Sequence, residues 1–174
     1  FYPQAVVLHN DLATQYATDP LFYFARLKQG NLLRSMNNFV GAQIVYENLI
    51  NGFPAHEMRY IAELSRADCM LALAGNDSDG LADAVIILER LLDLPNLPLD
   101  FQAEAAQKWA FALIKSGSSE KAKEVLWLSV DRFIGDGEKA AALGAAGRYW
   151  LARSMLQLGE IFEKQDNLVE ARKV

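Results

Sequence analysis

A single spacing that recurs four times constrains this chain more than any other feature. A small residue (Gly30, Ala72, Ala110, Gly159) is followed seven positions later by a turn former (Asn37, Asp79, Gly117, Asp166) and twelve positions later by an alanine (Ala42, Ala84, Ala122, Ala171). Glycine and alanine supply 36 of the 174 residues, so small-to-alanine pairs arise readily by chance. The turn former between them gives the register its specificity, because that is where a helix hairpin must reverse. Four residues beyond the alanine stand Tyr46, Leu88 and Leu126, and the fourth equivalent falls just past Val174. Two antiparallel helices reach the short end of the roughly 8–10 Å packing range only where small side chains meet. Gly30 is therefore expected to face Ala42, and Gly159 to face Ala171. The bulky residue one turn on fills the space toward the next hairpin. Such a pair cannot bury its apolar face alone, so its repetition predicts stacking.

Residue usage points the same way. Alanine and leucine contribute 25 residues each, threonine two and proline five, so helix formers dominate and strand formers are scarce. Apolar residues recur at helical spacing in three stripes: Leu81, Ala84, Val85, Leu88, Leu91 and Leu92; Ala122, Val125, Leu126, Val130 and Phe133; Leu151, Met155, Leu158 and Phe162. The pattern predicts helices over 4–17, 20–36, 38–51, 56–75, 79–93, 99–116, 119–134, 138–165 and 167 to the end. Asp19-Pro20 reads as a helix start, with the aspartate as N-cap and proline in the first turn. Asn167 with Glu170 reads as a capping box.

These residues resemble the tetratricopeptide repeat (TPR) family. Its motif combines a small residue in the first helix of each pair, an alanine in the second, a bulky residue one turn later and a proline near the end. Gly30, Ala42, Tyr46 and Pro54 fall in that register, as do Leu158-Gly159, Phe162 and Ala171. The middle repeats keep Leu71-Ala72, Trp109-Ala110, Ala84 and Ala122 but lack a clean terminal proline in register, and the alanine steps are 42, 38 and 49 residues. These irregular steps, with the FPAHE turn, look like the divergent repeats of bacterial envelope scaffold proteins, and the compartment stays open between the periplasmic side of a bacterial envelope and the cytoplasm. The resemblance implies an all-α, right-handed superhelix, a solenoid of antiparallel hairpins with about eight to nine helices. The expected organisation is one domain spanning 1–174: an N-terminal helix over 1–19 and repeats over 20–54, 55–98, 99–136 and 137–174, the last truncated.

Several functions are disfavoured by the residues themselves. With 17 Lys and Arg against 22 Asp and Glu, a net charge of −5 and no basic cluster longer than Arg172-Lys173, no nucleic-acid partner is expected. No apolar run reaches the roughly 20 residues of a membrane helix, so no direct membrane span is expected. The single cysteine, Cys69, forms neither an intrachain disulfide nor a thiolate metal set, and on an alanine-rich helix it reads as packing. His9 and His56 lack metal-ligand spacing. Asn76-Asp77-Ser78-Asp79-Gly80 suggests a calcium loop, but the required first and last ligand positions are Gly75 and Ile86, which favours a capped turn. Gly144 and Gly147 are expected inside a helix, permitting close approach to a neighbour. Trp109, Trp127 and Trp150 are expected in packing. No cofactor or metal is expected. The chain begins Phe1-Tyr2-Pro3 rather than with methionine, so removal of something upstream is expected.

The resemblance also implies where a partner would sit. The inner face of each first helix lines a concave groove, and register places Asn31, Arg34, Arg66, Gln107, Arg153 and Glu160 near it. Leu27 and Cys69 stand where the carboxylate-clamp subtype carries polar residues, which argues against that subtype. Phe24, Leu27, Leu73 and Phe111 with scattered arginines would suit a segment bearing acidic and apolar side chains. The function implied is a non-catalytic scaffold for a protein or peptide. The alternative is a structural section of a longer solenoid, covered at its C-terminal end by further repeats or a second copy.

Overall fold

The computed structural model describes residues 2–15, 21–75 and 78–174. Among the described residues there are ten helices and no strand: α1 (Tyr2–Gln15), α2 (Phe22–Ser35), α3 (Phe39–Gly52), α4 (Arg59–Ala74), α5 (Ser78–Leu92), α6 (Leu99–Lys115), α7 (Ser119–Ile134), α8 (Gly137–Ala142), α9 (Ala145–Lys164) and α10 (Leu168–Lys173). The all-α expectation holds. Asp19-Pro20 lies outside the described residues, as do Asn76 and Asp77.

Two compact units divide the chain, Phe1–Gly75 and Asn76–Val174. The boundary falls inside the second expected repeat, leaving α4 in the first unit and α5 in the second. In the first unit α2 packs on α1 and α3, and α3 packs on α4. Its core gathers Tyr23, Leu27, Ala42, Tyr46, Leu49, Ile50, Ala62 and Cys69. In the second unit α6 packs on α5, α7 and α9, while α9 also packs on α7 and α10. One core there joins Ala106, Ala110, Leu113, Ala122, Val125, Leu126, Leu158 and Phe162; another joins Ala103, Phe133, Leu143 and Leu151. The three apolar stripes thus supply much of the second unit's interior.

Three of the four predicted reversals share one backbone solution. Asn37, Gly117 and Asp166 have φ of 59°, 83° and 55°. Each follows a helix C-cap and donates its amide to a carbonyl three residues back: Arg34 (2.9 Å), Ile114 (3.0 Å) and Glu163 (3.0 Å). The next residue donates five back, Asn38 to Leu33 (2.9 Å), Ser118 to Leu113 (2.8 Å) and Asn167 to Phe162 (2.9 Å). This paired pattern is a Schellman motif, in which a left-handed residue satisfies carbonyls the helix end would leave free. Asn38 and Asn167 then cap the following helix, accepting from the amides of Gly41 (3.0 Å) and Glu170 (3.3 Å). The expected capping box at Asn167 is half formed. The Asn167 amide already serves Phe162, so the Glu170 carboxylate turns to Lys173 at 2.6 Å.

Elsewhere the expected register fails. Asp79 is not a turn residue but lies in the first turn of α5, where a carboxylate complements the helix dipole. The left-handed residue is instead Gly75, at φ 54°. Ala72 is exposed rather than at a crossing. The expected helix over 138–165 is two helices, because Leu143 and Gly144 are extended. There the Gly144 amide donates to Asp100 Oδ1 at 2.8 Å, which holds the break against the start of α6. A side chain on Gly147 would overlap Asp100 and come within 2.6 Å of Leu143 Cδ2, so both glycines do permit close approach.

The crossings are also built differently from expectation. A Cβ on Gly30 would lie 2.5 Å from Cε1 of the Tyr46 ring, so Gly30 makes room for the bulky residue rather than for Ala42. Nothing stands within 4 Å of the equivalent point on Gly159, which therefore does not pack tightly on Ala171. The third pair matches the expectation best, with Ala110 and Ala122 fully buried in one cluster.

Candidate functional site

In the first unit, the candidates on α2 and α4 are engaged within the protein. Asn31 Oδ1 accepts from Tyr46 Oη at 2.7 Å, tying α2 to α3. Arg34 pairs with Asp68 on α4 at 2.5 Å, and Arg66 pairs with Glu47 on α3 at 3.3 Å. These side chains brace helices, so their charges are largely answered. Leu27 and Cys69 are core residues and line no groove. Burial pushes the Cys69 thiol up to about 11, which makes it a poor nucleophile at neutral pH. Phe24 remains partly exposed, edge-on to His56, whose ring stacks on Tyr23 at 3.6 Å. The Nδ1 of His56 accepts from the Met58 amide at 3.1 Å, an ordinary turn role.

The second unit presents a different surface where α6 and α9 pack together. Residues 104, 108, 111 and 115 follow one face of α6, and residues 149, 153, 157 and 160 follow one face of α9. Gln107 is only 4% exposed and donates to Gln157 at 3.1 Å, so it cross-braces the two helices. Lys108, also buried, pairs with Glu104 at 2.5 Å and lies 5.0 Å from the centre of the Trp150 ring. Tyr149 meets Trp150 edge-on at 5.0 Å and is 53% exposed. The Arg153 guanidinium stands 5.9 Å from both ring centres and donates to Tyr149 Oη at 3.1 Å. Among the described residues it has no carboxylate partner. Lys115 lies 5.1 Å from the Phe111 ring centre, extending the aromatic and cationic character along α6. Exposed Glu160 borders a small depression of about 150 Å³ with Ile114, Ser119 and Lys164.

This cluster can hold a carboxylate against a guanidinium and lay an apolar group on Tyr149 and Trp150. An arginine already positioned on aromatic faces loses less freedom on binding. Helical register points to Gln107, Arg153 and Glu160 on α6 and α9 as groove positions, but it assigns Trp150 to packing and does not single out Tyr149 or Lys108. The missed signal is the Tyr149-to-Arg153 step of four residues, which puts ring and cation on one helix face. Trp127 also departs from the packing expectation, being partly exposed while still meeting Phe162 edge-on at 6.3 Å. No three His, Cys, Asp or Glu side chains among the described residues gather as a metal set. No helix among them is long and apolar enough to cross a membrane.

Antiparallel hairpins with left-handed reversals at a fixed offset from a small residue define an all-α, TPR-like fold. Two crystal structures of TPR-like repeats from a Podosopora anserina protein named as a putative kinesin light chain, one a point variant, superpose with TM-scores of 0.62 and 0.62. They are 16% and 17% identical to this chain, and the matches cover 99% of it and 82% of each of those chains. No family model matches the sequence, and neither does any curated protein.

Proposed function

We propose that this chain is a non-catalytic TPR-type scaffold that binds a protein segment carrying acidic and apolar side chains across the α6–α9 face. The observation that carries this reading is the Arg153 guanidinium, set over Tyr149 and Trp150 without a carboxylate of its own. Its fold neighbours are repeat proteins, and a preformed helix face requires little ordering on binding. Glu160 lies seven residues from Arg153, about 10 Å along the helix, and would set the polarity of a bound segment by meeting a basic group.

A fluorescence anisotropy titration with labelled Glu/Leu/Phe peptides and matched Lys/Leu/Phe peptides tests it. The acidic series should bind, and Arg153→Glu should weaken it about tenfold or more, a loss near 1.4 kcal/mol. Equal binding of both series, or no effect of Arg153→Glu, would overturn the reading. A second reading is a structural section whose main contacts are with copies of itself. It is favoured by Leu156, Leu168 and Val169, all well exposed on α9 and α10. Sedimentation velocity across a concentration series should then show association that Leu168→Glu abolishes, whereas a monomer throughout would remove this alternative.

A further inference from the structure

The exposed side of α9 carries a charge pattern that complements itself when the helix is reversed. Tyr149, Leu156 and Glu163 recur every seven residues, with Ala152 and Gly159 between them, so the five form one seam along the helix. Leu156 is 70% exposed and Tyr149 is 53% exposed. Ala152 is exposed as well, and a Cβ on Gly159 would meet nothing within 4 Å, so nothing among the described residues covers the middle of this seam. A leucine framed by small residues lets another helix lie close.

The charges are divided about Leu156. Arg148 and Arg153 precede it, Glu160 and Glu163 follow it, all four are exposed, and none has an ion-pair partner among the described residues. Arg153 stands three residues before Leu156 and Glu160 four after, both on one edge of the seam. Arg148 stands eight before on the opposite edge, and Glu163 seven after. Lys164, the remaining charge on this side, lies on the edge away from Arg148 and comes level with Tyr149 when the helix is reversed, where a cation meets a ring.

We infer that α9 pairs with α9 of a second copy of this chain, antiparallel about Leu156. A copy turned end for end sets each Arg153 beside the other's Glu160, each Arg148 beside the other's Glu163, and Leu156 against Leu156 at the twofold axis. The midpoints of the two ion pairs fall one residue apart, about 1.5 Å, which long side chains absorb. A parallel copy in register would instead bring Arg148 to Arg153, so charge selects the antiparallel arrangement. The proposal rests on the reading that copies associate, and adds which helix pairs, in which direction and through which charges. The copy's own Leu156-to-Glu163 segment is then an acidic and apolar occupant for Arg153, so a second copy and an outside acidic segment exclude each other.

Sedimentation velocity across a concentration series tests the pairing. The unaltered chain should dimerise, and Arg153→Glu or Glu160→Arg alone should weaken the dimer about tenfold or more. The double variant should regain the original affinity, because the reversed pairs re-form across the axis, and Leu156→Glu should abolish association. Orientation is read from disulfides formed with diamide: a mixture of Ala152→Cys and Gly159→Cys chains should cross-link, and neither chain should do so alone. A strict monomer would overturn this inference and the self-association reading together. Dimers that ignore the single reversals, are not restored by the double variant, or cross-link through either cysteine alone would overturn this inference and leave that reading standing. Glu160→Arg keeps Arg153 in place, so it should weaken the dimer yet bind the acidic peptide at least as tightly, which scores the acidic-segment reading separately.

Discussion

Gly30 and Tyr46 form a tight small-to-large contact at the crossing of α2 and α3. Because the Tyr46 ring is fully buried and its hydroxyl is held by Asn31, it cannot withdraw from an added methyl group. Gly30→Ala gains about 1 kcal/mol of helix propensity but overpacks the crossing. It should lower stability by about 1–3 kcal/mol net in urea denaturation, and a stabilised variant would refute the contact. The sequence made the need for a small residue at position 30 legible, but not its partner. A twelve-residue spacing names two helices without saying which side chain of the second fills the gap. Burial also raises the phenols of Tyr23 and Tyr46 from 10.0 to about 12. Unfolded tyrosines lose their protons near pH 10 while these keep theirs, so their contribution is intact below about pH 10 and is lost as pH climbs toward 12. Denaturation midpoints measured by circular dichroism should fall across that window, and Tyr46→Phe should flatten the fall. An equally steep fall in the variant would contradict the assignment.

At the scale of elements, three reversals use the same left-handed residue, filled by Asn, Gly and Asp. Only glycine adopts that conformation without cost, and other residues lose roughly 1–2 kcal/mol there. Asp166→Gly should therefore raise the thermal midpoint. Gly117→Ala should lower it, with no steric contribution because nothing stands near its Cβ position. Opposite signs in calorimetry would show that the turn strain has been misread. These turns were legible because turn formers seven residues after a small residue report local backbone chemistry. The break between α8 and α9 was not, since AALGAAG has helix-forming composition. The contact that ends the helix is Asp100, 44 residues away in the chain. Asp79 misled for a related reason: an acidic residue serves a turn and a helix first turn equally well.

At the scale of the molecule, the fold class followed from composition and repeat register, whereas the surfaces did not. Arg66 and Arg153 share one register, six residues before the small residue of their repeats, yet Glu47 on α3 answers the first and no carboxylate among the described residues answers the second. Register selects a face, but only tertiary structure shows which charges on it remain unsatisfied. The proposed interaction site therefore narrows from a list of groove positions to one aromatic and cationic cluster on α6 and α9.

Photo-crosslinking at position 149 tests that placement most directly. With a benzoylphenylalanine in place of the exposed Tyr149, irradiation of the functional complex should yield a covalent adduct. Its mass spectrum should map to one partner segment rich in acidic and apolar residues, and Arg153→Glu should suppress the adduct. A functional complex that gives no adduct there, while a control probe at Leu128 or Phe24 captures the partner, would contradict the account.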